Sequence, residues 1–282
     1  KKSFIGYFLV IILLIFWVWQ MLIFAPKDSD SKREILFEIK RGQGGREIAK
    51  NLEKEGLIKS GLQFRFHIFF RGVSGRLQAG TYLLSPSMNI PKIAEKIAMG
   101  DIARVTVTIP EGFTTEQIYQ RLQEELSGSD PDSLTEIKKY EGYLFPDTYE
   151  IKYDASIEEM IKMMTDNFNK KTANLKITSE IVIMASILEK EVKTKEDKEL
   201  ASDVLWKRLR LGMPLQVDAY MWTYENQGLP EKPISNPGLE SILAAIHPQD
   251  NAYWYYLSTS EGETIFSKTL EEHNIAKAKY LK

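Results

Sequence analysis

The chain has 282 residues, with 37 Lys and Arg against 39 Asp and Glu and a net charge of -2, so it offers no basic field for nucleic acid. It has no cysteine, which excludes disulfides, thiol catalysis and thiolate metal sites. Its three histidines, His67, His247 and His273, are widely spaced and form no HExxH pattern. Neither a metal ion nor a cofactor is therefore expected.

The first apolar run extends from Phe4 to Phe24 and contains Gln20 as its single strongly polar side chain. A run of this length spans a bilayer, and no clear signal-peptide cleavage site follows it. We therefore expect a retained transmembrane helix over residues 4–24, with residues 1–3 as its cytoplasmic end. Residues 25–33 are polar and predict a short linker to a folded part outside the cytoplasm.

Two stretches share a pattern of apolar strand, glycine turn and amphipathic helix. They are FEIKRGQGGREIAKNL (37–52) and VTIPEGFTTEQIYQRL (107–122), and residues 82–97 are a looser copy. Each pattern predicts a strand that leads into a short helix. Two such units with a helix between them would make a small α+β module, which we expect over residues 34–104.

Longer helices alternate with short strands from residue 105 onward. The clearest helical patterns cover residues 157–168, 179–192 and 195–211, and the aromatic stretch AYWYYLS (252–258) predicts a late strand. Between them lie turns rich in Gly and Pro, and loops held by rigid elements are where sites tend to be built. The pattern predicts a second, larger α+β domain over residues 105–282.

Two glutamates end the apolar helical pattern IMASILEKEV, which covers residues 183–192. Successive helical residues turn by about 100°, so Glu189 and Glu191 point in different directions. Glu191 falls on the apolar side with Met184 and Leu188, whereas Glu189 is predicted at the surface among lysines. A carboxyl group taken out of water either forms an ion pair or keeps its proton through a raised pKa. Glu191 is therefore a general acid or a member of a structural ion pair, and both interpretations are open at this point.

Five motifs stand in one order across the predicted second domain. They are EGYLFPDTYEI (141–151), MASILEKE (184–191), RLRLGMPLQVD (208–218), SNPGLESILAAIHP (235–248) and FSKTLEEHN (266–274). With this series and the N-terminal apolar run, the chain resembles the YceG-like endolytic murein transglycosylases. The resemblance implies a single-pass protein of the bacterial inner membrane, with a LysM-like first module and a catalytic domain outside the cytoplasm. It also implies cleavage within nascent glycan chains, which leaves 1,6-anhydro-N-acetylmuramic acid ends and terminates elongation.

The resemblance places the catalytic glutamate at the second Glu of SILEKE, which is Glu191, the residue that the helical wheel puts on the apolar side. As general acid it would protonate the oxygen between N-acetylmuramic acid and N-acetylglucosamine, and its carboxylate would then deprotonate the muramyl 6-hydroxyl. The predicted substrate contacts are Gln216, Asp218, Asn236, His247, Tyr143 and Tyr149, with Phe145 and Trp254 as further stacking candidates. Each also has a structural interpretation, as a helix cap, a turn residue, a satisfied histidine or a core aromatic.

The chain departs from the family pattern at two positions. Ala219 stands where a proline commonly follows the LQxD motif, and Thr264 stands where a histidine often precedes the FSKT-like strand. We assign no role to either position, and neither change affects Glu191.

Two other functions fit parts of the sequence. One is a non-catalytic scaffold that grips peptidoglycan and recruits cell-wall synthases, which are partners that the family's role also implies. The other is a muramidase-type hydrolase, which needs a second carboxylate facing Glu191. Asp218, Glu111 and Glu141 are the candidates for that carboxylate.

Overall fold

The computed structural model describes residues 25–126, 132–259 and 261–281, together with isolated residues between 7 and 23. It is a mixed protein of 48% helix and 12% strand, in agreement with the predicted α+β class. Most of the predicted membrane span, residues 4–24, lies outside the described residues. Within the part that the structure describes, no helix combines the length and hydropathy needed to cross a bilayer.

The chain divides into two compact units. The first is built from the residues up to Val105 together with Lys152–Asp154, and the second from Thr106–Ile151 and the residues from Ala155 onward. Each unit has its own apolar core.

The first unit contains β1 (Ile35–Ile39), α1 (Gly45–Lys54), α2 (Gly61–Phe70), β2 (Gly80–Leu84) and α3 (Ile90–Met99). β1 and β2 pair antiparallel, with Ile35 opposite Leu84 and Ile39 opposite Gly80. The helix α3 ends at Gly100, whose left-handed φ of 70° suits a residue without a side chain. Apolar side chains of all five elements form one core, in which Phe64 and Tyr82 are fully buried.

The remaining elements begin at the boundary between the units. They are β3 (Arg104–Thr108), α4 (Thr115–Glu125), α5 (Asp132–Ile137), β4 (Thr148–Lys152), α6 (Ile157–Lys171), α7 (Ser179–Glu191), α8 (Lys195–Arg210), α9 (Trp222–Glu225), α10 (Leu239–Ile246), β5 (Tyr255–Ser258), β6 (Thr264–Ser267) and α11 (Leu270–Tyr280). β3 lies beside β4, and β5 pairs antiparallel with β6. The three long helices predicted from the sequence are confirmed as α6, α7 and α8, with their ends displaced by at most three residues.

Helix α7 is enclosed by its neighbours in the second unit. Thr178 caps its start, since its hydroxyl accepts the N–H of Ile181 at 3.3 Å. Every residue from Val182 to Leu188 is buried, because α8 and α10 pack against the helix. Val192 has an extended backbone, so the helix ends at Glu191. A buried helix therefore carries Glu191 as its last residue.

Candidate active site

Glu191 lines a cavity of about 870 Å³ in the second unit. The end of α7, the loop after α8, strand β5 and helix α11 surround it. The polar part of its wall consists of Lys190, Glu191, Arg208, Gln216, Asp218, Tyr224, Tyr255, Tyr256, Ser258, His273 and Lys277. Three of the residues predicted from the sequence, Glu191, Gln216 and Asp218, are thus brought together.

A backbone hydrogen bond fixes the Glu191 carboxyl group in the wall of this cavity. Its Oε1 accepts the backbone N–H of Ala219 at 2.7 Å. Burial raises the pKa of Glu191 to about 7 and the Asp218 carboxylate acts in the same direction, whereas the Ala219 N–H and the Tyr256 hydroxyl favour the charged form. The Tyr256 hydroxyl is buried and makes no hydrogen bond of good geometry with the described residues. A carboxyl group with a pKa near neutrality can give up a proton and take one back.

Asp218 is positioned by Tyr224, whose hydroxyl donates to its Oδ1. Burial and this hydrogen bond raise the pKa of Tyr224 to about 12, so Tyr224 remains a donor at neutral pH. Of the three candidates for a second carboxylate, Asp218 lines the same cavity as Glu191, whereas Glu111 and Glu141 do not. Of the three candidates, Asp218 is therefore the one placed to act as the second carboxylate that a hydrolase requires.

Gln216 has a strained backbone, and it is the one non-glycine residue with positive φ, 55°, in the part of the chain that the structure describes. Its N–H donates to the carbonyl of Thr223 at 3.1 Å, and the buried Thr223 hydroxyl accepts the N–H of Val217 at 3.0 Å. These bonds hold Gln216 in a left-handed backbone conformation, which costs a non-glycine residue about 1–3 kcal/mol. Residues in this conformation are often found at functional sites. The strain is consistent with the predicted role of Gln216 in binding.

Asn236 lies outside the cavity and has no exposed surface. Its Oδ1 accepts the N–H groups of Gly142 and Leu144, both at 2.9 Å. Its Nδ2 donates to the carbonyl of Phe113 and to Glu141, both at 3.0 Å. The protein itself saturates this amide, so the sugar contact predicted for Asn236 is not supported. The residue joins the SNPG and EGYLFPD motifs instead.

The other predicted contacts do not line the cavity either. Tyr149 is buried, and its hydroxyl donates to the carbonyl of Phe145, itself buried, at 2.6 Å. Tyr143 packs edge to face on Phe168, with ring centroids 5.3 Å apart. His247 is exposed and follows the last residue of α10. The positions of these side chains do not support the predicted sugar contacts in this cavity.

Glu189 was predicted at the surface, and the structure corrects this. Its side chain is 7% exposed and pairs at 3.1 Å with the ammonium group of Lys198, whose side chain is 3% exposed. Its Oε2 accepts the N–H of Gly238 at 2.8 Å and the hydroxyl of Ser241 at 2.7 Å. Glu189 therefore ties α7 to α8 and to the start of α10. The helical wheel shows one apolar face, but a second face of α7 is buried through this ion pair.

Several cavity residues were not assigned a role from the sequence. Arg208 and His273 stand in the motifs RLRLGMPLQVD and FSKTLEEHN, and Tyr256 stands in the aromatic stretch before β6. His273 brings an imidazole to the cavity from α11, whereas Thr264, at the position where the family often has a histidine, begins β6. The sequence signal that could have identified Arg208 and His273 as cavity residues was their position in these two motifs.

Comparison with known proteins identifies the family of this chain. Residues 37–279 match the model of the YceG-like family. The chain belongs to the YceG-like family. The resemblance drawn from the five motifs is thereby confirmed.

Relatives in this family extend over most of the chain. A Bacillus subtilis (strain 168) protein named endolytic murein transglycosylase is 32% identical, over 91% of this chain and 87% of that protein. A Streptococcus pneumoniae (strain D39) protein of the same name is 28% identical, over 97% of this chain and 64% of that protein. A 2.6 Å crystal structure of a YceG-like protein from Listeria monocytogenes covers 88% of this chain and 100% of its own, at 31% identity and a TM-score of 0.52.

Proposed function

We propose that the chain cleaves peptidoglycan endolytically, between N-acetylmuramic acid and N-acetylglucosamine of nascent glycan chains, and leaves 1,6-anhydro-N-acetylmuramic acid ends. The chain is an enzyme of the lytic transglycosylase class, as its similarity to the relatives of that name shows. The observation that carries the finer proposal is the Glu191 carboxyl group, which combines a pKa of about 7 with a place in an open cavity of about 870 Å³.

One carboxyl group can serve the whole cycle. Protonated Glu191 gives its proton to the glycosidic oxygen, the bond from that oxygen to the anomeric carbon breaks, and the muramyl ring gains positive charge. The resulting carboxylate then takes the proton of the muramyl 6-hydroxyl, whose oxygen bonds to the anomeric carbon and closes the anhydro ring. The Ala219 N–H, 2.7 Å from Oε1, stabilises the carboxylate between the two steps. Glu191 ends the cycle protonated, so water is not consumed.

A second cavity offers room for the rest of the glycan chain. It has a volume of about 680 Å³ and shares Ala219 with the Glu191 cavity. Tyr220 and Trp222 line it, with ring centroids 6.2 Å apart, and are 39% and 37% exposed, so they offer a partly exposed aromatic pair for contact with sugars. An endolytic enzyme holds sugars on both sides of the bond that it cleaves, and two cavities that meet at Ala219 suit that requirement.

The setting that we propose for this activity is the bacterial inner membrane. Residues 4–24 would be the single anchor, because their apolar run is long enough to span a bilayer, with the catalytic unit outside the cytoplasm. The first unit would hold glycan as a LysM-like module, and cell-wall synthases would be the partners of strand termination. A reporter enzyme that is active only outside the cytoplasm, fused to the C-terminus, checks the orientation. Its activity is expected if the catalytic unit lies outside the cytoplasm, and its inactivity would contradict this placement.

A muramidase-type hydrolase is the second candidate, and the place of Asp218 in the same cavity favours it. Asp218 would activate a water molecule while Glu191 protonates the leaving oxygen. The products differ, because hydrolysis leaves reducing muramyl ends. At acidic pH, where Glu191 is protonated in both proteins, Asp218→Asn separates the two mechanisms. A hydrolase loses kcat because no group activates the water, whereas a one-carboxylate transglycosylase retains kcat.

Mass spectrometry of the fragments released from purified glycan tests the proposal. Wild-type protein should yield anhydro-muramyl ends, and Glu191→Gln should yield none. Glu150→Gln is the matched control, because Glu150 is an exposed glutamate of β4 in the same unit. Reducing ends from the wild type would establish the hydrolase, and intact glycan with the wild type would contradict both mechanisms.

A further inference from the structure

Three nitrogen-bearing side chains line the same cavity as the carboxyl groups of Glu191 and Asp218. They are Arg208, His273 and Lys277. They lie close together, since the charges of Lys277 and Arg208 both lower the pKa of His273, after burial as the main cause. We call these three side chains the basic cluster.

Arg208 is buried, at 5% exposure, and its hydrogen bonds go to neutral groups. Nε and Nη2 donate to the carbonyl of Trp254 at 3.1 and 2.8 Å, and Nη1 donates to the carbonyl of Leu215 at 2.7 Å. A guanidinium group has five N–H donors, so one on each terminal nitrogen is not used by these bonds. A buried charge is costly unless an opposite charge compensates it.

No carboxylate in the described part of the chain forms an ion pair with Arg208 or Lys277. The groups that act electrostatically on Arg208 are tyrosines, and its guanidinium lies 5.2 Å from the centroid of the Tyr255 ring. The positive charge is thus stabilised by carbonyl dipoles and a π face, and no ion pair among the described residues neutralises it.

His273 supplies an independent observation. The side chain is 8% exposed, and its Nδ1 is buried without a hydrogen-bond partner among the described residues. Its ring stacks on Tyr255, with centroids 5.2 Å apart, so the imidazole is held in place. His273 lines the cavity, and an unpartnered buried polar atom is satisfied when a ligand or a water molecule reaches it.

We propose that the basic cluster binds a carboxylate group that the substrate carries next to the muramyl sugar. This inference rests on the proposed function, and it adds that the enzyme distinguishes charged from neutral muramyl substituents. Arg208 presents its two free N–H groups to the carboxylate, His273 Nδ1 completes the hydrogen bonding as a donor, and Lys277 supplies a second positive charge at the cavity mouth. The carboxylate is that of the stem peptide, or that of the lactyl group where the peptide has been removed.

Binding of labelled glycan chains to the full-length Glu191→Gln protein tests this without cleavage of the probe. Two pairs of probes are compared: peptide-bearing chains with free or chemically amidated carboxylates, and peptide-stripped chains with free or amidated lactyl groups. We expect the free form of at least one pair to bind about 5-fold more tightly, which is the upper range for a partly exposed charge pair. The pair that shows the preference identifies the source of the carboxylate.

Lys277→Glu and Lys279→Glu are the matched variants for this measurement. Both lie on α11 and change the net charge equally, but Lys279 lies over the Tyr280 ring and does not line the cavity. Lys277→Glu should abolish the preference, and Lys279→Glu should retain it. Equal affinities within both pairs, or a preference that survives Lys277→Glu, would overturn the inference. Cleavage of the same chains by wild-type protein reports separately on the proposed function.

Discussion

Replacement of Glu191 by Gln should make the protein more stable at alkaline pH. The folded state holds the Glu191 proton with a pKa of about 7, against an ordinary value of 4.5. The folded protein therefore binds more protons than the unfolded chain in this interval, and its stability decreases as the pH rises from about 4.5 to about 7. At 1.36 kcal/mol for each tenfold change in proton affinity, the full loss is about 3 kcal/mol. Gln resembles the protonated acid and avoids this loss.

Urea unfolding at two pH values measures the effect. Three of the five tryptophans, Trp206, Trp222 and Trp254, belong to the second unit. In the Trp17→Phe, Trp19→Phe background, tryptophan fluorescence therefore reports on the unit that contains Glu191. The variant and the wild type should have similar free energies of unfolding at about pH 4 and differ by about 3 kcal/mol at about pH 8, with the variant more stable. Glu150→Gln should follow the wild type at both. A variant no more stable than the wild type at the higher pH would refute the raised pKa.

Three further changes test the contacts around Glu191. Asp218→Asn removes a charge that raises the pKa of Glu191, so the alkaline limb of the kcat/KM profile, expected at about pH 7 for a protonated general acid, should move to lower pH. Ala219→Pro removes the N–H that favours the carboxylate, and this limb should move to higher pH, whereas Ala219→Ser retains the N–H and should leave it unchanged. Glu189→Gln breaks the buried pair with Lys198 and should destabilise the protein by about 3–5 kcal/mol in thermal or urea unfolding.

Opposite results would contradict each argument. An alkaline limb that is unchanged in both Asp218→Asn and Ala219→Pro would show that Glu191 is not the acid that it reports. A loss below about 1 kcal/mol for Glu189→Gln would show that the pair with Lys198 is solvated, since exposed pairs contribute that little.

Local patterns in the sequence were sufficient for the elements and insufficient for their contacts. The long helices were found because apolar residues recur with a helical period. The burial of Glu189 was missed because its partner, Lys198, lies on the next helix, and periodicity contains no information about contacts between helices. The same holds for Asn236, whose turn-forming sequence does not reveal that its amide is saturated by backbone groups and the Glu141 carboxyl group, all more than ninety residues away.

The cavity illustrates the same limit. Glu191 and Asp218 were singled out within their motifs, but Tyr256 and His273 reach the same wall from β5 and α11. Side chains so far apart in the chain meet only in the tertiary fold, and local patterns in a sequence do not reveal such contacts.

The anchoring of α7 bears on how the enzyme opens. The Glu189 bonds to Lys198, Gly238 and Ser241 fix the helix to two others one turn or less before Glu191, and buried, ion-paired helices belong to the slowest-opening parts of a protein. We therefore expect Glu191, the proposed proton donor, to stay in place when a glycan enters the cavity. In the segment that follows α8, Leu215 and Val217 are fully buried, whereas residues 218–221 are exposed, so we expect any movement at these exposed residues. In hydrogen exchange, the backbone amides of α7 should exchange slowly and those of residues 218–221 should exchange faster.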